Sequence, residues 1–221
     1  LPLIRAIRHA RPDMSITLLC QPKYSSLLKA LNLDAIIMEL PSGRFLKCAH
    51  RWLKLKANFY ECHLLLTNSL RGDIEAAFLS SSQRLGLCIG SKWRPLLTHK
   101  FNVPRLDFEG RHLSETWEMM AKAFGLKQKV SYEPFHMKLN SQKEKKIGIA
   151  IGSSNNPIKQ WKSASWLELC DLINERYTNY SICIYGTNSD RDLSKELIRS
   201  SRMNKIKSLA GKTSILELAQ E

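Results

Sequence analysis

No run of about 18 or more apolar residues occurs in the 221-residue sequence, so no segment is long enough to cross a bilayer as a helix. The six cysteines include no Cys-x-x-Cys pair. Cys20, Cys48, Cys62, Cys88, Cys170 and Cys183 are scattered, which excludes a short-spaced zinc site and a small disulfide framework. They read as buried or incidental thiols of a reducing cytosol. His9, His50, His63, His99, His112 and His136 lack ligand spacing as well, so no metal site is expected. Neither G-x-G-x-x-G nor a P-loop is present, which removes the two commonest phosphate-binding fingerprints. The opening Leu1-Pro2-Leu3-Ile4-Arg5 carries neither a methionine nor a signal-peptide pattern and reads as the middle of a helix. Acidic residues are the scarce charge: 20 Asp and Glu stand against 34 Lys and Arg, a net charge of +14. A basic surface attracts nucleic acid, anionic membrane or phosphorylated substrates, and charge alone does not choose among them. A nucleic-acid module would interleave aromatics with Lys and Arg along a groove. Trp52, Trp93, Trp117, Trp161 and Trp166 are not so arranged, and Trp117 and Trp166 fit helix faces, which leaves a basic nucleic-acid-binding α/β protein as the weaker reading.

What is present is alternation. Residues 15–20, 34–38 and 62–67 are short apolar runs that read as strands, with 83–88 a weaker fourth. Residues 22–31 and 73–79 between them are helix-like. Strands alternating with helices imply a parallel sheet covered on both faces. Residues 91–112 look irregular and basic, with Lys92, Arg94, His99, Lys100, Arg105 and Arg111. A helical period returns over 113–125, through Leu113, Trp117, Met120, Ala121 and Phe124. The polar stretch Asn140 to Lys146 marks a domain boundary, giving a first domain over 1–140 and the start of a second over 141–221. The second opens with the buried strand Ile147 to Gly152. Ser165 and Glu168 have capping-box spacing ahead of a helix whose Trp166, Leu169, Cys170 and Ile173 share one face. A strand over 180–185, a helix after it, a strand near Ile206 and a helix started by Ser214 and Glu217 complete the pattern.

Three loops of the second domain follow strands, the position at which open α/β sheets bind ligands. In Gly152-Ser153-Ser154-Asn155-Asn156-Pro157-Ile158-Lys159-Gln160-Trp161-Lys162, hydroxyls and free N–H groups near a helix start suit an anionic phosphate, and Lys159 adds a positive charge. Taken alone, the loop is equally an ordinary polar connection with a solvated lysine. Gly186-Thr187-Asn188-Ser189-Asp190 offers groups that bind a sugar hydroxyl or cap the next helix, capping being the commoner role of Ser189 or Asp190. Leu209-Ala210-Gly211-Lys212-Thr213-Ser214 is the third. In the first domain, Asn68 and Arg71 follow a strand and are candidates to face a ligand.

The ordered set of segments resembles glycosyltransferase family 9, the ADP-heptose:lipopolysaccharide heptosyltransferases. Leu65-Leu66-Thr67-Asn68-Ser69-Leu70-Arg71, then Arg84-Leu85-Gly86 and Arg94-Pro95-Leu96-Leu97, resembles the "LPNSF…RTG…R…LL" stretch of the heptosyltransferase II branch. Ile151-Gly152-Ser153-Ser154 through Lys159-Gln160-Trp161 resembles the "PGA…KRWP" donor loop, with Gly152-Ser153 where the family has Pro-Gly. Ile184-Tyr185-Gly186 with Leu209 to Ser214 resembles "FGS…LAGKTSL".

The resemblance implies a GT-B fold, two Rossmann-like domains with the active site in the cleft between them, and an inverting, metal-independent transfer with no further cofactor. The donor would be ADP-heptose and the acceptor the inner core of lipopolysaccharide, at the cytoplasmic face of the inner membrane. Ser153, Ser154 and Lys159 would face the donor diphosphate or sugar. Thr187 and Asn188 lie near the family's acidic ribose contact, and Thr213 near the nucleobase. Asn68, Arg71, Lys92 and Arg94 would serve the acidic acceptor, since residues 1–140 hold 21 Lys and Arg against 11 Asp and Glu. The "GD" loop with the family's proposed general base is expected upstream of Leu1, and the "NDSGxxH" motif beyond Glu221. The chain is therefore expected to be a piece, both domains truncated, inactive alone, with no catalytic residue assigned. Another GT-B nucleotide-sugar transferase, or a remnant that only binds, remains the alternative.

Overall fold

Apolar runs too short for helices, separated by amphipathic segments, fold into parallel strands covered by helices. The computed structural model describes residues 1–41, 53, 59–79, 81–135, 145–153, 157–202 and 205–221. The chain divides into two compact units, Leu1–His136 and Met137–Glu221. The boundary expected at 140/141 lies outside the described residues.

Unit 1 contains α1 (Pro2–Ala10), β1 (Thr17–Cys20), α2 (Pro22–Ala30), β2 (Ile36–Glu39), β3 (Tyr60–Leu65), α3 (Leu70–Phe78), β4 (Ser81–Ile89), β5 (His99–Val103), α4 (Arg105–Glu109) and α5 (Leu113–Ala123). Proline opens both α1 and α2, where its fixed φ suits the first turn and its missing N–H costs nothing. β1 and β2 form one parallel pair, Thr17 opposite Ile36. β3, β4 and β5 form a second parallel sheet with β4 in the middle. Strand side chains alternate between faces. Leu87 and Val103 pack on Met120 of α5, with Leu64, Leu66, Phe101 and Trp117 around them. Leu65 and Cys88 turn the other way, onto Ala76 of α3 and Leu97. Leu3 and Ala6 of α1 join Ala121 and Val130. Burying side chains such as Leu87 or Met120 contributes roughly 1.5–3 kcal/mol each.

Two expectations need correction here. β3 starts at Tyr60 rather than Cys62 and stops at Leu65, where its ladder with β4 ends opposite Gly86. Residues 91–112 are not irregular, since they include β5 and α4. β5 turns only Phe101 and Val103 inward, while His99, Lys100 and Asn102 are exposed. The edge of β4 supplies the ladder that the sequence pattern did not announce.

Unit 2 contains β6 (Lys146–Ala150), a short 3₁₀ turn (Pro157–Lys159), α6 (Ser163–Arg176), β7 (Ser181–Tyr185), a second 3₁₀ turn (Asn188–Asp190), α7 (Arg191–Ser200), β8 (Ile206–Ser208) and α8 (Ile215–Gln220). The sheet is parallel in the order β6-β7-β8, with Ile149 opposite Ile184 and Ile182 opposite Ile206. Ile149, Ile151, Ile182 and Ile184 bury against Cys170 and Ile173 of α6 and Leu197 of α7. The face of α6 expected from Trp166, Leu169, Cys170 and Ile173 is the one that packs. The capping box expected at Ser165 and Glu168 does not form, because α6 begins at Ser163 and its cap is Lys162, three residues before Ser165. The box at Ser214 and Glu217 does form: Ser214 N–H donates to Glu217 Oε2 at 2.6 Å, and Glu217 N–H to Ser214 Oγ at 3.2 Å. Among the described residues, no helix is long and apolar enough to cross a membrane.

Candidate functional site

In unit 2 the three candidate loops leave the same edge of the sheet, because β6, β7 and β8 are parallel neighbours and each loop follows a strand. They are joined to one another. Thr187 N–H donates to Asp190 Oδ2 at 2.7 Å, and the Thr187 hydroxyl donates to the same oxygen at 2.8 Å. This closes the second 3₁₀ turn and buries the Asp190 carboxylate. That carboxylate lies against the backbone of the first loop, where a Cβ on Gly152 would sit 2.7 Å from Asp190 Cγ and 2.8 Å from Oδ1. It also lies against Gly186, where a Cβ would be 2.9 Å from Oδ2. The third loop is tied to the second by Gly211 N–H donating to Gly186 O at 2.9 Å, and Arg191 Nη2 donates to Gly211 O at 2.9 Å. Gly211 has φ +64, in the left-handed region, and a Cβ there would lie 3.0 Å from Asn188 Cα.

On this edge, Ser153 is half-buried at the start of the first loop, and Lys159 is exposed at the end of the first 3₁₀ turn. Ser154 lies outside the described residues. Thr187 and Asn188 are exposed beside the buried Asp190, and Asn188 borders Gly211. Thr213 is half-buried just before the Ser214 cap of α8. The Glu217 carboxyl is held below its usual pKa by the Ser214 backbone N–H, and then by the Ser214 hydroxyl. Of the two residues that organise the edge, Asp190 takes the capping role expected of it, and Arg191 was not a candidate. The Thr187-x-x-Asp190 spacing signals a cap, but no local pattern signals the contact with Gly152.

In unit 1 the comparable edge follows β3, β4 and β5. Asn68 is half-buried in the β3–α3 loop, with its Oδ1 buried and no hydrogen-bond partner among the described residues. Lys92, from the β4–β5 connection, donates its ammonium to Asn68 O. These two candidates therefore meet. Arg71 is exposed and pairs along α3 with Glu75 at 2.7 Å. Arg94 departs from expectation. It is 1% exposed, with Nε donating to Asp73 Oδ2 at 3.0 Å, Nη2 paired with Asp73 Oδ1 and Nη1 donating to Leu87 O. Its charge is satisfied inside the unit by Asp73, also 1% exposed, which removes Arg94 from the basic surface inferred from sequence. Lys100 lies in β5 and stays exposed. Elsewhere in unit 1, a groove of about 660 Å³ lined by Arg8, Ser15, Lys29, Asn32 and Asp34 opens at the starts of β1 and β2, away from the candidate residues. Among the described residues, no group of three or more His, Cys, Asp or Glu gathers to hold a metal ion.

The family model described as glycosyltransferase family 9 (heptosyltransferase) matches residues 49–220. Among curated proteins none matches the sequence. Of solved structures, E. coli ADP-heptose lps heptosyltransferase II is similar at a TM-score of 0.71 and 17% identity, covering 98% of this chain and 70% of that one. A glycosyl transferase family 9 protein from Veillonella parvula is similar at 0.78 and 17%, covering 99% and 66%. E. coli heptosyltransferase WaaC with ADP is similar at 0.75 and 14%, covering 99% and 72%. At such identities the likeness is one of fold, an α/β fold with parallel sheets.

Proposed function

The chain belongs to glycosyltransferase family 9 (heptosyltransferase), and from that premise we propose that it serves the transfer of heptose from ADP-heptose to the inner core of lipopolysaccharide. The reaction is an inverting, metal-independent transfer on a GT-B framework, with the acceptor served by residues 1–140 and the donor by residues 141–221. An acceptor hydroxyl oxygen forms a bond to the anomeric carbon as the bond from that carbon to the diphosphate oxygen breaks, the hydroxyl proton passing to a carboxylate base and the diphosphate leaving with the bonding electron pair. The work of the donor side is to hold the diphosphate as it takes up charge, which fixed donors and cations aimed at it do best. The observation that carries this reading is the joined edge of unit 2, where three loops after parallel strands present Ser153, Lys159, Thr187, Asn188 and Thr213. Relatives described with ADP and with an ADP-heptose analogue support a nucleotide-sugar donor. On the acceptor side, Asn68 and Lys92 are the favoured contacts, with Arg71 a further candidate on α3. An acceptor of this kind is membrane-borne, so the protein acts peripherally at the cytoplasmic face of the inner membrane.

Calorimetric titration of ADP is the test. The chain binds ADP, and Lys159→Ala weakens binding by roughly 10- to 150-fold, the value of one charge-assisted contact of about 1.5–3 kcal/mol. Because Lys159 is exposed, the substitution leaves the melting temperature unchanged. Failure of the chain to bind ADP, or equal affinity in the variant, refutes this assignment.

A further inference from the structure

We propose that Trp93 is a specificity-determining contact of the acceptor, an aromatic platform for the face of a sugar ring, which with the Lys92 ammonium forms a subsite for an anionic sugar. This subsite rests on the acceptor reading above and adds to it a side chain that the reading left out. Trp93 is 79% exposed, next to Arg94, which is 1% exposed. An indole held in water forgoes the burial that usually stabilises it, and its apolar body and polar tip suit a partner that is apolar on one face and polar at its rim. A pyranose is such a partner, with C–H groups over one face and hydroxyls around the edge. The backbone that presents the indole is fastened on both sides. Lys92 N–H donates to Ile89 O at 3.3 Å, and the Lys92 ammonium donates to Asn68 O in the loop between β3 and α3. Arg94 Nε donates to Asp73 Oδ2 of α3 at 3.0 Å, and its Nη1 donates to Leu87 O of β4. Trp93 thus stands between two anchored neighbours, and little backbone freedom is left to lose when a ligand arrives. An ammonium has three donors; the Asn68 carbonyl takes one, and Lys92 is exposed, so the others can meet a carboxylate at the rim of the ring. The buried Arg94–Asp73 pair, a poor source of net stability, acquires a role as the anchor of this platform.

The probes are inner-core oligosaccharide freed of its acyl chains, the same oligosaccharide with its carboxylates reduced to alcohols, and phosphatidylglycerol vesicles, each titrated into the full chain. Trp93→Ala weakens binding of the native and the reduced oligosaccharide by the same factor, about tenfold, the scale of burying one side of an indole. Trp93→Phe, which keeps a smaller ring, recovers part of that loss. Lys92→Gln keeps a donor for Asn68 O but no charge. It weakens the native oligosaccharide by about two- to fivefold, as loss of an exposed cation does, and leaves the reduced one unchanged. Because both side chains are exposed, the melting temperature stays the same in all three variants. Unchanged oligosaccharide affinity in Trp93→Ala overturns the proposal, as does a Lys92→Gln variant that discriminates the two oligosaccharides as the unsubstituted chain does. Loss of vesicle binding in Trp93→Ala with oligosaccharide affinity intact assigns the indole to a lipid surface and overturns the proposal too. An unsubstituted chain that binds neither oligosaccharide overturns the acceptor reading itself, and the subsite with it.

Discussion

The Arg94–Asp73 pair gives the sharpest energetic test in unit 1. Both side chains are 1% exposed, and the guanidinium meets the carboxylate through two nitrogens, with Nη1 donating to Leu87 O. Replacing Arg94 by Leu leaves Asp73 charged and dry in the first turn of α3, and replacing Asp73 by Ala leaves a buried guanidinium with one carbonyl. Breaking such a pair from one side costs about 3–5 kcal/mol, because the remaining charge is uncompensated. An exposed pair such as Arg105–Glu109 is worth about 0–1 kcal/mol. Against a typical domain stability of about 5–15 kcal/mol, either single change removes a large part of the total. The melting transition should fall by about 10 °C or more. Removing both charges costs less than the two single losses added, since nothing charged is then left behind. Urea unfolding of the two singles and the double Asp73→Ala/Arg94→Leu variant, followed by circular dichroism, closes the cycle. Single losses below about 1 kcal/mol, or strict additivity in the double variant, would refute the burial argument.

Two further outcomes follow from local geometry. Gly211→Ala places a Cβ at φ +64 against Asn188 and Arg191, so unit 2 should lose roughly 1–2 kcal/mol from backbone strain alone, read as a lower urea midpoint; an unchanged midpoint would mean that the loop relaxes freely. His63 has both ring nitrogens buried, and that burial pushes its imidazole below the usual pKa, opposed by the backbone of Ala76 and aided by Arg84. The unfolded chain therefore takes up the proton first as pH falls. His63 contributes no pH dependence above the ordinary imidazole pKa of about 6.5, and stability is lost as pH falls through that value, levelling off below the depressed folded pKa. His63→Phe should flatten this part of the stability profile between about pH 7.5 and 5.5, and a profile identical to that of the unsubstituted chain would show that the imidazole is hydrated.

The elements legible in the sequence are those whose own residues carry the pattern. Ser181 to Tyr185 announce β7, because a central parallel strand buries both faces and needs no partner to be recognised, and Ile147, Ile149 and Ile151 announce β6 by alternation, the three sharing the face that packs on the core. The Ser214–Glu217 box announces α8 for the same reason, its two hydrogen bonds closing within four residues. β5 fails that criterion. Only Phe101 and Val103 point inward, and what makes the segment a strand is the edge of β4, a partner that periodicity does not encode. Ser165 and Glu168 fail in the opposite sense, with the right spacing in a helix that had already begun at Ser163.

The candidate site divides along the same line. A loop after a strand is readable, so the positions of Lys159, Asn188 and Thr213 at one edge followed from strand order. Which polar residues turn outward was not readable, since that is decided by partners distant in sequence. Arg94 sits among basic neighbours and looks solvated until Asp73, 21 positions earlier, is found to neutralise it inside the unit. Lys92, two residues away, stays outside and reaches the Asn68 carbonyl. Asp190 presents the spacing of an ordinary cap and forms one, yet the same carboxylate also fills the space above Gly152. Local chemistry thus marks where ligand groups can be offered. The long-range pairs Asp73–Arg94 and Asp190–Gly152 determine which of the offered groups are held in place and which are spent on the scaffold.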